Sequence, residues 1–206
     1  MQSILNQGAI LLISGPSGCG KSSLLKKLYQ NIDNYYFSIS TTTRKPRDGE
    51  RNGIDYFFVS KKEFENDIKN EQFLEYANVH GNYYGTSLKP IDKSLRKCQL
   101  VIFDIDVQGH KIIQEKLSNI TTSVFITTPT LKDLHHRLSN RGTDSKEIIK
   151  DRLLNAKKEI KEIKTYDYFI INDDLEKASN QLLCIARASM IKTKLFNTDK
   201  IINIWN

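Results

Sequence analysis

The sequence predicts an α/β fold in which a parallel sheet is covered by helices on both faces. Short segments of continuous apolar residues alternate with longer segments whose apolar residues recur at helical spacing. Uninterrupted apolar strands are typical of a parallel sheet that is buried on both faces. A length of 206 residues is enough for one large domain, which at this size buries about 70% of the surface of its unfolded chain.

Four apolar segments predict the strands of this sheet, and the helical segments follow them in order. The predicted strands span residues 9–13, 100–103, 123–127 and 168–171. The predicted helices span residues 21–29, 108–116, 130–139, 145–164 and 175–194. This alternation is the pattern of a sheet whose strands are joined by crossover helices.

Residues 40–88 interrupt the alternation and predict a small inserted α+β subdomain. Its short aromatic strands and its helix are expected at residues 55–59, 73–76, 82–84 and 61–69. A second interruption, residues 139–147, joins two helices through polar residues and predicts a mobile lid. The rest divides into a core of residues 8–39, 89–138 and 148–187 and a C-terminal extension of residues 188–206, whose apolar residues are expected to pack on the core.

Charge and composition narrow the classes of function. The formal net charge is +7, and it comes from 23 Lys and only 8 Arg. A basic chain suits nucleic acid, an anionic surface or phosphorylated small molecules. Because Lys is the usual cation here, places where Arg clusters are expected to need its planar guanidinium. No apolar segment reaches the roughly 20 residues of a membrane helix, and three widely spaced cysteines suggest a reduced, cytoplasmic location.

A glycine-rich segment after the first predicted strand matches the pattern G-x-x-x-x-G-K-S/T. We call residues 15–20 the phosphate loop, because the glycines let backbone N–H groups point at a phosphate while the helix start adds its positive end. In this pattern the lysine reaches the β- and γ-phosphates and the serine hydroxyl binds Mg²⁺. The residues predicted to bind a nucleoside triphosphate are Gly15, Pro16, Ser17, Gly18, Cys19, Gly20, Lys21, Ser22 and Ser23. The alternative is a tight turn that meets the pattern by chance.

Arg44 and Arg47 stand three residues apart around a proline in a chain that otherwise uses lysine. Two guanidinium groups beside hydroxyls suit a second phosphate, separate from the one in the phosphate loop. The alternative is a solvated basic loop, since charged runs usually lie on the surface.

Together these motifs resemble the guanylate kinase family. The resemblance rests on S-x-S-x-T-T-R-x-P-R-x-G-E-x-x-G-x-D-Y-x-F over residues 38–58, and on further motifs at 73–77, 81–87, 104–109, 137–142 and 166–174. It covers residues 10–183 and implies a P-loop NTPase-type fold with a GMP-binding insert and a helical lid. The implied activity is phosphoryl transfer from ATP, with Mg²⁺, to GMP; dGMP is left open as a second acceptor, and neither nucleic acid nor a membrane is an expected partner.

The resemblance also implies which residues hold GMP. Its phosphate would bind Arg44, Arg47, Tyr56 and Tyr84, and its base would bind Ser40, Glu75, Thr86 and Asp104. The chemistry of guanine agrees, because its N1–H and N2–H₂ groups suit a carboxylate such as Glu75. Adenine lacks that combination and would leave a buried carboxylate unpaired.

The catalytic residues implied by the resemblance are Lys21 and three arginines, Arg137, Arg141 and Arg152. The arginines would close over the phosphoryl group, whose transfer needs alignment and charge neutralisation more than covalent chemistry. Asn172 would lie on the adenine side, and Ser22 would bind the metal.

Three other functions compete with this interpretation. Domains that resemble guanylate kinases also serve as non-catalytic interaction modules, but here the phosphate loop and lid arginines are intact. A related kinase could act on another phosphorylated acceptor, although Glu75, Thr86 and Asp104 favour guanine. A nucleic-acid-binding protein would explain the basic charge, yet the sequence contains no known reader motif.

Overall fold

A computed structural model describes residues 5–79, 81–140, 142 and 144–206 of the chain. Its strands are β1 (Ala9–Ser14), β2 (Tyr35–Phe37), β3 (Thr41–Thr42), β4 (Phe57–Phe58), β5 (Phe73–Val79), β6 (Asn82–Ser87), β7 (Leu100–Asp104), β8 (Thr121–Thr127) and β9 (Tyr168–Ile171). Its α-helices are α1 (Lys21–Tyr29), α2 (Lys61–Lys69), α3 (Leu88–Arg96), α4 (Val107–Leu117), α5 (Leu131–Asn140), α6 (Lys146–Glu159), α7 (Leu175–Ser189) and α8 (Thr198–Trp205). Short 3-10 segments lie at Ser118–Ile120, Ile160–Thr165 and Thr193–Leu195.

The main sheet has the strand order β2-β7-β1-β8-β9, and its paired strands are parallel. β1 lies at its centre, and every residue of β1 is buried. The chain moves from β1 to one side through β2 and β7 and then to the other side through β8 and β9. Crossovers are right-handed, so the opposite directions put α1 and α4 on opposite faces. This confirms the predicted fold class.

The second sheet has the order β4-β3-β6-β5 and is built by the segment predicted as an insert. Its β5–β6 hairpin is antiparallel, and α2 packs on it through Phe64, whose ring stacks on Phe73 and Tyr83 at centroid distances of 4.2 and 5.1 Å. Ser60 begins α2 with a reciprocal capping box to Glu63. Local sequence therefore fixes where this helix starts, and three aromatic rings hold it on the sheet.

Four elements were not predicted, namely β2, β3, α3 and α8, and several bounds differ. β2 is a three-residue edge strand, held by stacking of Tyr35 on Tyr29 at 4.8 Å, and such a short strand has no periodicity to detect. α3 contains Pro90, which a helix tolerates in its first turn. α7 ends at Ser189 rather than 194, α6 ends at Glu159 before a 3-10 segment, and the strand expected at 55–59 is only Phe57–Phe58.

The C-terminal residues divide into a packed part and an exposed part. Leu195 is fully buried, and Phe196 pairs with Leu5. Ile202, Ile204 and Trp205 of α8 are instead 56%, 66% and 87% exposed. The expectation that the apolar tail packs on the core therefore holds for its beginning and is wrong for these three residues of α8. Within the described ranges, no helix combines the length and apolar character needed to cross a membrane.

Candidate active site

The phosphate loop connects the end of β1 to the start of α1, at the point where the strand order reverses. In open α/β sheets, ligands bind outside the carboxyl ends of the strands at this point. A cleft of about 680 Å³ opens there. The described residues that line it come from the phosphate loop and α1, from the ends of β7 and β9, and from α5, α6 and α7.

Two glycines of the phosphate loop occupy backbone positions that a side chain would disturb. Gly15 has φ 144°, and a Cβ there would lie 1.9 Å from the carbonyl oxygen of Ile126 in β8. Gly20 has φ 98°, and a Cβ there would lie 2.3 Å from Nδ2 of Asn172. Glycine adopts such φ values without strain and has no atom to clash. The loop can therefore lie directly against β8 and the end of β9.

Two side chains from outside the phosphate loop anchor it by donating hydrogen bonds to the carbonyl oxygen of Cys19. Asn172 Nδ2 donates to it at 2.8 Å, and Arg137 Nη1 donates to it at 3.2 Å. Arg137 Nη2 also donates to the carbonyl oxygen of Asn172 at 2.6 Å. The Cys19 side chain is buried, and burial raises the pKa of its thiol. The Cys19 side chain therefore fills space, while Arg137 and Asn172 support the loop.

Lys21, the first residue of α1, extends back over the loop. Its Nζ donates to the carbonyl oxygen of Gly15 at 2.6 Å and lies 3.9 Å from Asp104 Oδ1. No side chain caps the start of α1, and its first turn holds no acidic residue. The first N–H groups of the helix and the positive end of its dipole are thus available to an anion.

Four carboxylates line the same cleft, those of Asp104, Asp106, Glu159 and Asp173. Asp104 ends β7, and burial raises its pKa although the Lys21 ammonium opposes the shift. Asp106 accepts hydrogen bonds from the backbone N–H groups of Gln108 and Gly109 and so caps α4. Glu159 ends α6, and burial raises its pKa against the opposing charge of Lys21.

Glu159 was missed by the sequence reasoning. Its only signal was a position near the end of an amphipathic helix, and tertiary packing alone brings it to the cleft. Among the described residues, no group of three His, Cys, Asp or Glu side chains is arranged to hold a metal ion.

Four residues are predicted to bind the phosphate of the acceptor: Arg44, Arg47, Tyr56 and Tyr84. The first three lie in what we call the arginine loop, residues 43–56, and Tyr84 lies on β6. Arg44 has its guanidinium carbon 5.5 Å from the centre of the Tyr56 ring. The rings of Tyr56 and Tyr84 meet edge to face at a centroid distance of 6.1 Å. Arg47 lies on the exposed side of the same loop. The structure thus brings these four residues to one end of the second sheet.

Glu75 and Thr86 form a cross-strand pair on β5 and β6. The Thr86 hydroxyl donates to Glu75 Oε1 at 2.5 Å. Thr41 of β3 pairs with Gly85 of β6, and Ser40 directly precedes β3. Ser40 therefore lies beside the strand that carries Thr86, and Thr86 in turn faces Glu75.

Of the predicted lid residues, Arg152 contacts the phosphate loop. Its Nη1 donates to Ser17 Oγ at 2.8 Å, and its Nη2 donates to Asp144 Oδ1 at 3.2 Å. Arg137 supports the loop as described above. Arg141 lies outside the described residues. Within the described chain, Asp104 is the one predicted acceptor residue that lines the cleft; the other acceptor residues lie on the second sheet and the segments that join its strands.

Comparisons with known proteins agree with this arrangement. The family model described as guanylate kinase matches residues 7–189. The chain is 52% identical over 200 residues to a guanylate kinase of Wolinella succinogenes, with 97% of this chain and 93% of that protein covered. It is 50% identical over 200 residues to a guanylate kinase of Helicobacter pylori, with 97% of each covered.

A solved structure gives the same result. The crystal structure of guanylate kinase from Anaplasma phagocytophilum matches with a TM-score of 0.71 at 31% identity, covering 97% of this chain and 95% of that one. Sequence, fold and the position of the phosphate loop thus lead to one conclusion: the chain belongs to the guanylate kinase family.

Proposed function

We propose that the chain transfers the γ-phosphoryl group of ATP to GMP and so produces ADP and GDP. One observation carries the proposal: a single chain holds both an intact phosphate loop and the hydrogen-bonded Glu75–Thr86 pair on a second sheet. The first is suited to a nucleoside triphosphate, and the second is suited to the donors of guanine. Membership in the guanylate kinase family supports the same reaction.

At the ATP end, we assign the β- and γ-phosphates to the phosphate loop and Lys21. The Lys21 ammonium now bonds the Gly15 carbonyl oxygen, and a triphosphate in the loop would offer it stronger, charged acceptors. Arg137 and Asn172 keep the loop against β9 through the Cys19 carbonyl. We also propose that Asn172 lies beside the adenine of ATP. Its Nδ2 supports the loop through the Cys19 carbonyl.

The residues of the cleft fit a magnesium ion bound together with ATP. The hydroxyl of Ser22 is exposed and lines the cleft with the carboxylates of Asp104, Asp106 and Glu159. Hard oxygen donors suit Mg²⁺, which usually keeps several of its waters. When bound, the ion would neutralise charge on the phosphate oxygens. We propose Ser22 as its protein ligand and the carboxylates as partners of its waters.

At the GMP end, we assign the base to Glu75, Thr86, Ser40 and Asp104. The Thr86 hydroxyl proton is donated to Glu75, which fixes the carboxylate and leaves it able to accept from guanine N1–H and N2–H₂. A base without these donors would leave the carboxylate unpaired, which costs about 1–3 kcal/mol when the group is buried. Selection of guanine follows from this cost.

The phosphate of GMP is assigned to Arg44, Arg47, Tyr56 and Tyr84. We propose that the GMP phosphate oxygen itself attacks the γ-phosphorus of ATP, so that no protein base is needed. Arg152 already contacts the phosphate loop at Ser17. Together with Arg137 and Arg141, it would neutralise the negative charge of the phosphoryl group during its transfer. Exclusion of water by closure would prevent wasteful hydrolysis of ATP.

We also propose the division of labour along the chain: residues 40–88 as the GMP-binding subdomain, residues 139–147 as the lid, residues 188–206 as an extension, and the remainder of 8–187 as the core. A cytoplasmic location is proposed as well; Cys19, Cys98 and Cys184 are all free thiols, which suits a reduced compartment.

A coupled assay of ADP formation tests the function. ATP is offered with GMP, AMP, UMP or CMP at equal concentration, and with no acceptor to measure hydrolysis. We expect GMP to react at least about 100-fold faster than the other three. Equal rates with all acceptors would contradict the assignment of guanine recognition, and transfer to none would favour a non-catalytic interaction module. A parallel reaction with dGMP determines whether the ribose 2′-hydroxyl matters.

A further inference from the structure

Glu50 lies in the arginine loop and contacts both of the predicted phosphate-binding arginines. Arg44 Nη2 donates to both of its carboxylate oxygens, at 2.8 Å to Oε1 and 2.9 Å to Oε2. The backbone N–H of Arg47 donates to Oε2 at 2.7 Å, and the N–H of Glu50 donates back to the carbonyl oxygen of Arg47 at 3.0 Å. One carboxylate is therefore bonded to the side chain of one arginine and to the backbone of the other.

The two arginines differ in how much freedom this leaves them. The Arg44 guanidinium also donates through Nη1 to the carbonyl oxygen of Lys45 at 2.7 Å, and it lies over the rings of Tyr56 and Phe58. Its side chain is only 15% exposed. The Arg47 side chain has no hydrogen bond or ion pair within the part of the chain that the structure describes. Arg44 is thus held in one orientation, whereas Arg47 has a fixed backbone and a free guanidinium.

The Glu50 carboxylate lets the two arginines of the loop stay close together before a phosphate binds. Two guanidinium groups three residues apart repel each other, and Glu50 offsets one of their charges. The hydrogen bond from the Arg44 guanidinium holds the pKa of the Glu50 carboxyl below its usual range. The carboxylate is therefore ionised at neutral pH, where the phosphate of GMP is also charged. The pair is formed before any ligand arrives, and a phosphate group needs to order only the Arg47 side chain.

We infer that Glu50 is a positioning residue for the phosphate group of GMP, acting through Arg44 and through the backbone of Arg47. The inference rests on the proposed function, because it takes the arginine loop as the site of the GMP phosphate. Glu50 touches no substrate in this role. It keeps one guanidinium directed across the Tyr56 ring and keeps the other attached to a rigid turn.

Two other roles of Glu50 predict different effects of its removal on GMP binding. If Glu50 were only a competing anion that a phosphate must displace from Arg44, its removal would tighten GMP binding. If it were only a structural residue of the subdomain, its removal would weaken every ligand of that subdomain alike. A positioning residue instead affects the phosphate contact and spares the base.

The test compares GMP with guanosine, which has the same base and no phosphate. In Glu50→Gln, we expect the Kd of GMP to rise about 10- to 100-fold, the effect of losing a hydrogen bond to a charged group. The inhibition constant of guanosine against GMP in the coupled assay is expected to stay within about twofold. Asp48→Asn is the matched control, because it removes an exposed carboxylate from the same loop and should leave both values unchanged.

A second measurement asks whether Glu50 acts through Arg44. In the Arg44→Ala background, Glu50→Gln should cost clearly less than it does in the unmodified chain, because the Arg44–Glu50 interaction is already gone. The amide oxygen of the glutamine can still accept the hydrogen bond from the Arg47 backbone. Tighter GMP binding in Glu50→Gln, equal weakening of GMP and guanosine, or fully additive losses with Arg44→Ala would each overturn the inference. Failure of the unmodified chain to bind GMP would instead overturn the proposed function.

Discussion

The phosphate loop and the arginine loop are both predicted to bind phosphate, but they are held in different ways. The phosphate loop is packed against β8, α5 and the end of β9, and its anchors are backbone atoms such as the Cys19 carbonyl. The arginine loop is mostly exposed, and one side chain, Glu50, connects its two arginines.

This difference separates two ways of preparing an anion site. Backbone N–H groups and a helix terminus are fixed by the fold itself, so such a site is formed once the sheet forms. Guanidinium groups give stronger and more directional contacts, but their side chains lose conformational freedom unless neighbours already order them. We expect variants of the first loop to fail through the backbone and variants of the second to fail through loss of side-chain order.

The largest expected effect comes from Lys21, the side chain assigned to the β- and γ-phosphates in the phosphate loop. Lys21→Ala should lower kcat about 10³-fold, the size of effect seen when one charged or hydrogen-bonding group is removed from a transition state. Lys26→Ala, at an exposed position of the same helix, is the control and should retain normal turnover in the coupled assay. Near-normal transfer by Lys21→Ala would contradict the assignment of the loop.

The next effect tests the backbone of that loop. Gly20→Ala should lower the free energy of unfolding by about 2–3 kcal/mol, because φ of 98° strains a non-glycine residue and the new Cβ would meet Asn172 Nδ2 at 2.3 Å. Thermal or urea unfolding measures the loss.

Gly49→Ala separates the two causes. Gly49 in the arginine loop also has positive φ, at 85°, but a Cβ there meets nothing within 4 Å. Its replacement should cost only the strain, about 1 kcal/mol. Equal losses in the two variants would show that contact with Asn172 does not support the phosphate loop.

A smaller and more selective effect is expected at the guanine pair. Glu75→Gln should raise the KM for GMP about 10- to 100-fold, because an amide presents an N–H where guanine also donates, and the KM for ATP should change little. Steady-state kinetics with each nucleotide varied in turn gives both values. A matched rise for ATP would mean that Glu75 does not recognise the base. Glu71→Gln, an exposed position before the same strand, is the control.

The smallest effect is a difference in pH dependence between a buried histidine of the core and Glu50 of the arginine loop. His110 of α4 is buried and stacks on Tyr166 at a centroid distance of 3.9 Å. Burial lowers its pKa, with Asp167 and Glu162 opposing the shift and Lys111 adding to it. The unfolded chain therefore binds a proton near pH 6.5 that the folded chain does not bind, so stability should fall as pH drops below about 6.5.

The pKa of Glu50 is lowered, chiefly by the hydrogen bond from Arg44. The stability that Glu50 contributes is therefore present above its unfolded pKa and is lost only in acid, as the pH falls through its folded pKa. Urea unfolding from pH 7.5 to 5 should show a fall in stability that His110→Gln reduces and that His135→Gln, at an exposed position, does not. An unchanged fall in His110→Gln would contradict the assignment.

How much of the site could be predicted depended on how local each signal was. The phosphate loop is one contiguous motif, and all of its predicted residues lie together because chain connectivity guarantees it. Glu159 is far from that motif in sequence, and only the packing of α6 brings it to the cleft. The support of the loop by Asn172 and Arg137 through the Cys19 carbonyl likewise depends on tertiary packing, which no spacing of residues encodes.

The arginine pair illustrates a second limit. Sequence reasoning treated Arg44 and Arg47 as equivalent, since their residue type and neighbourhood are the same. Their difference arises from where the turn directs Glu50 and from the ring of Tyr56. In the fold, the long apolar strands were predicted closely, whereas β2, β3, α3 and α8 were missed. The two strands are too short for a periodic pattern, and α3 has proline in its first turn.

The burial of Cys19 has a consequence for chemical modification. Thiolates, not thiols, react with alkylating agents and oxidants, and burial both raises the Cys19 pKa and blocks access to its sulfur. Cys184 on α7 is the exposed thiol of the chain and should react first. A fluorescent or spin label can therefore be attached at Cys184 to follow ligand binding, while the cysteine inside the phosphate loop stays unmodified.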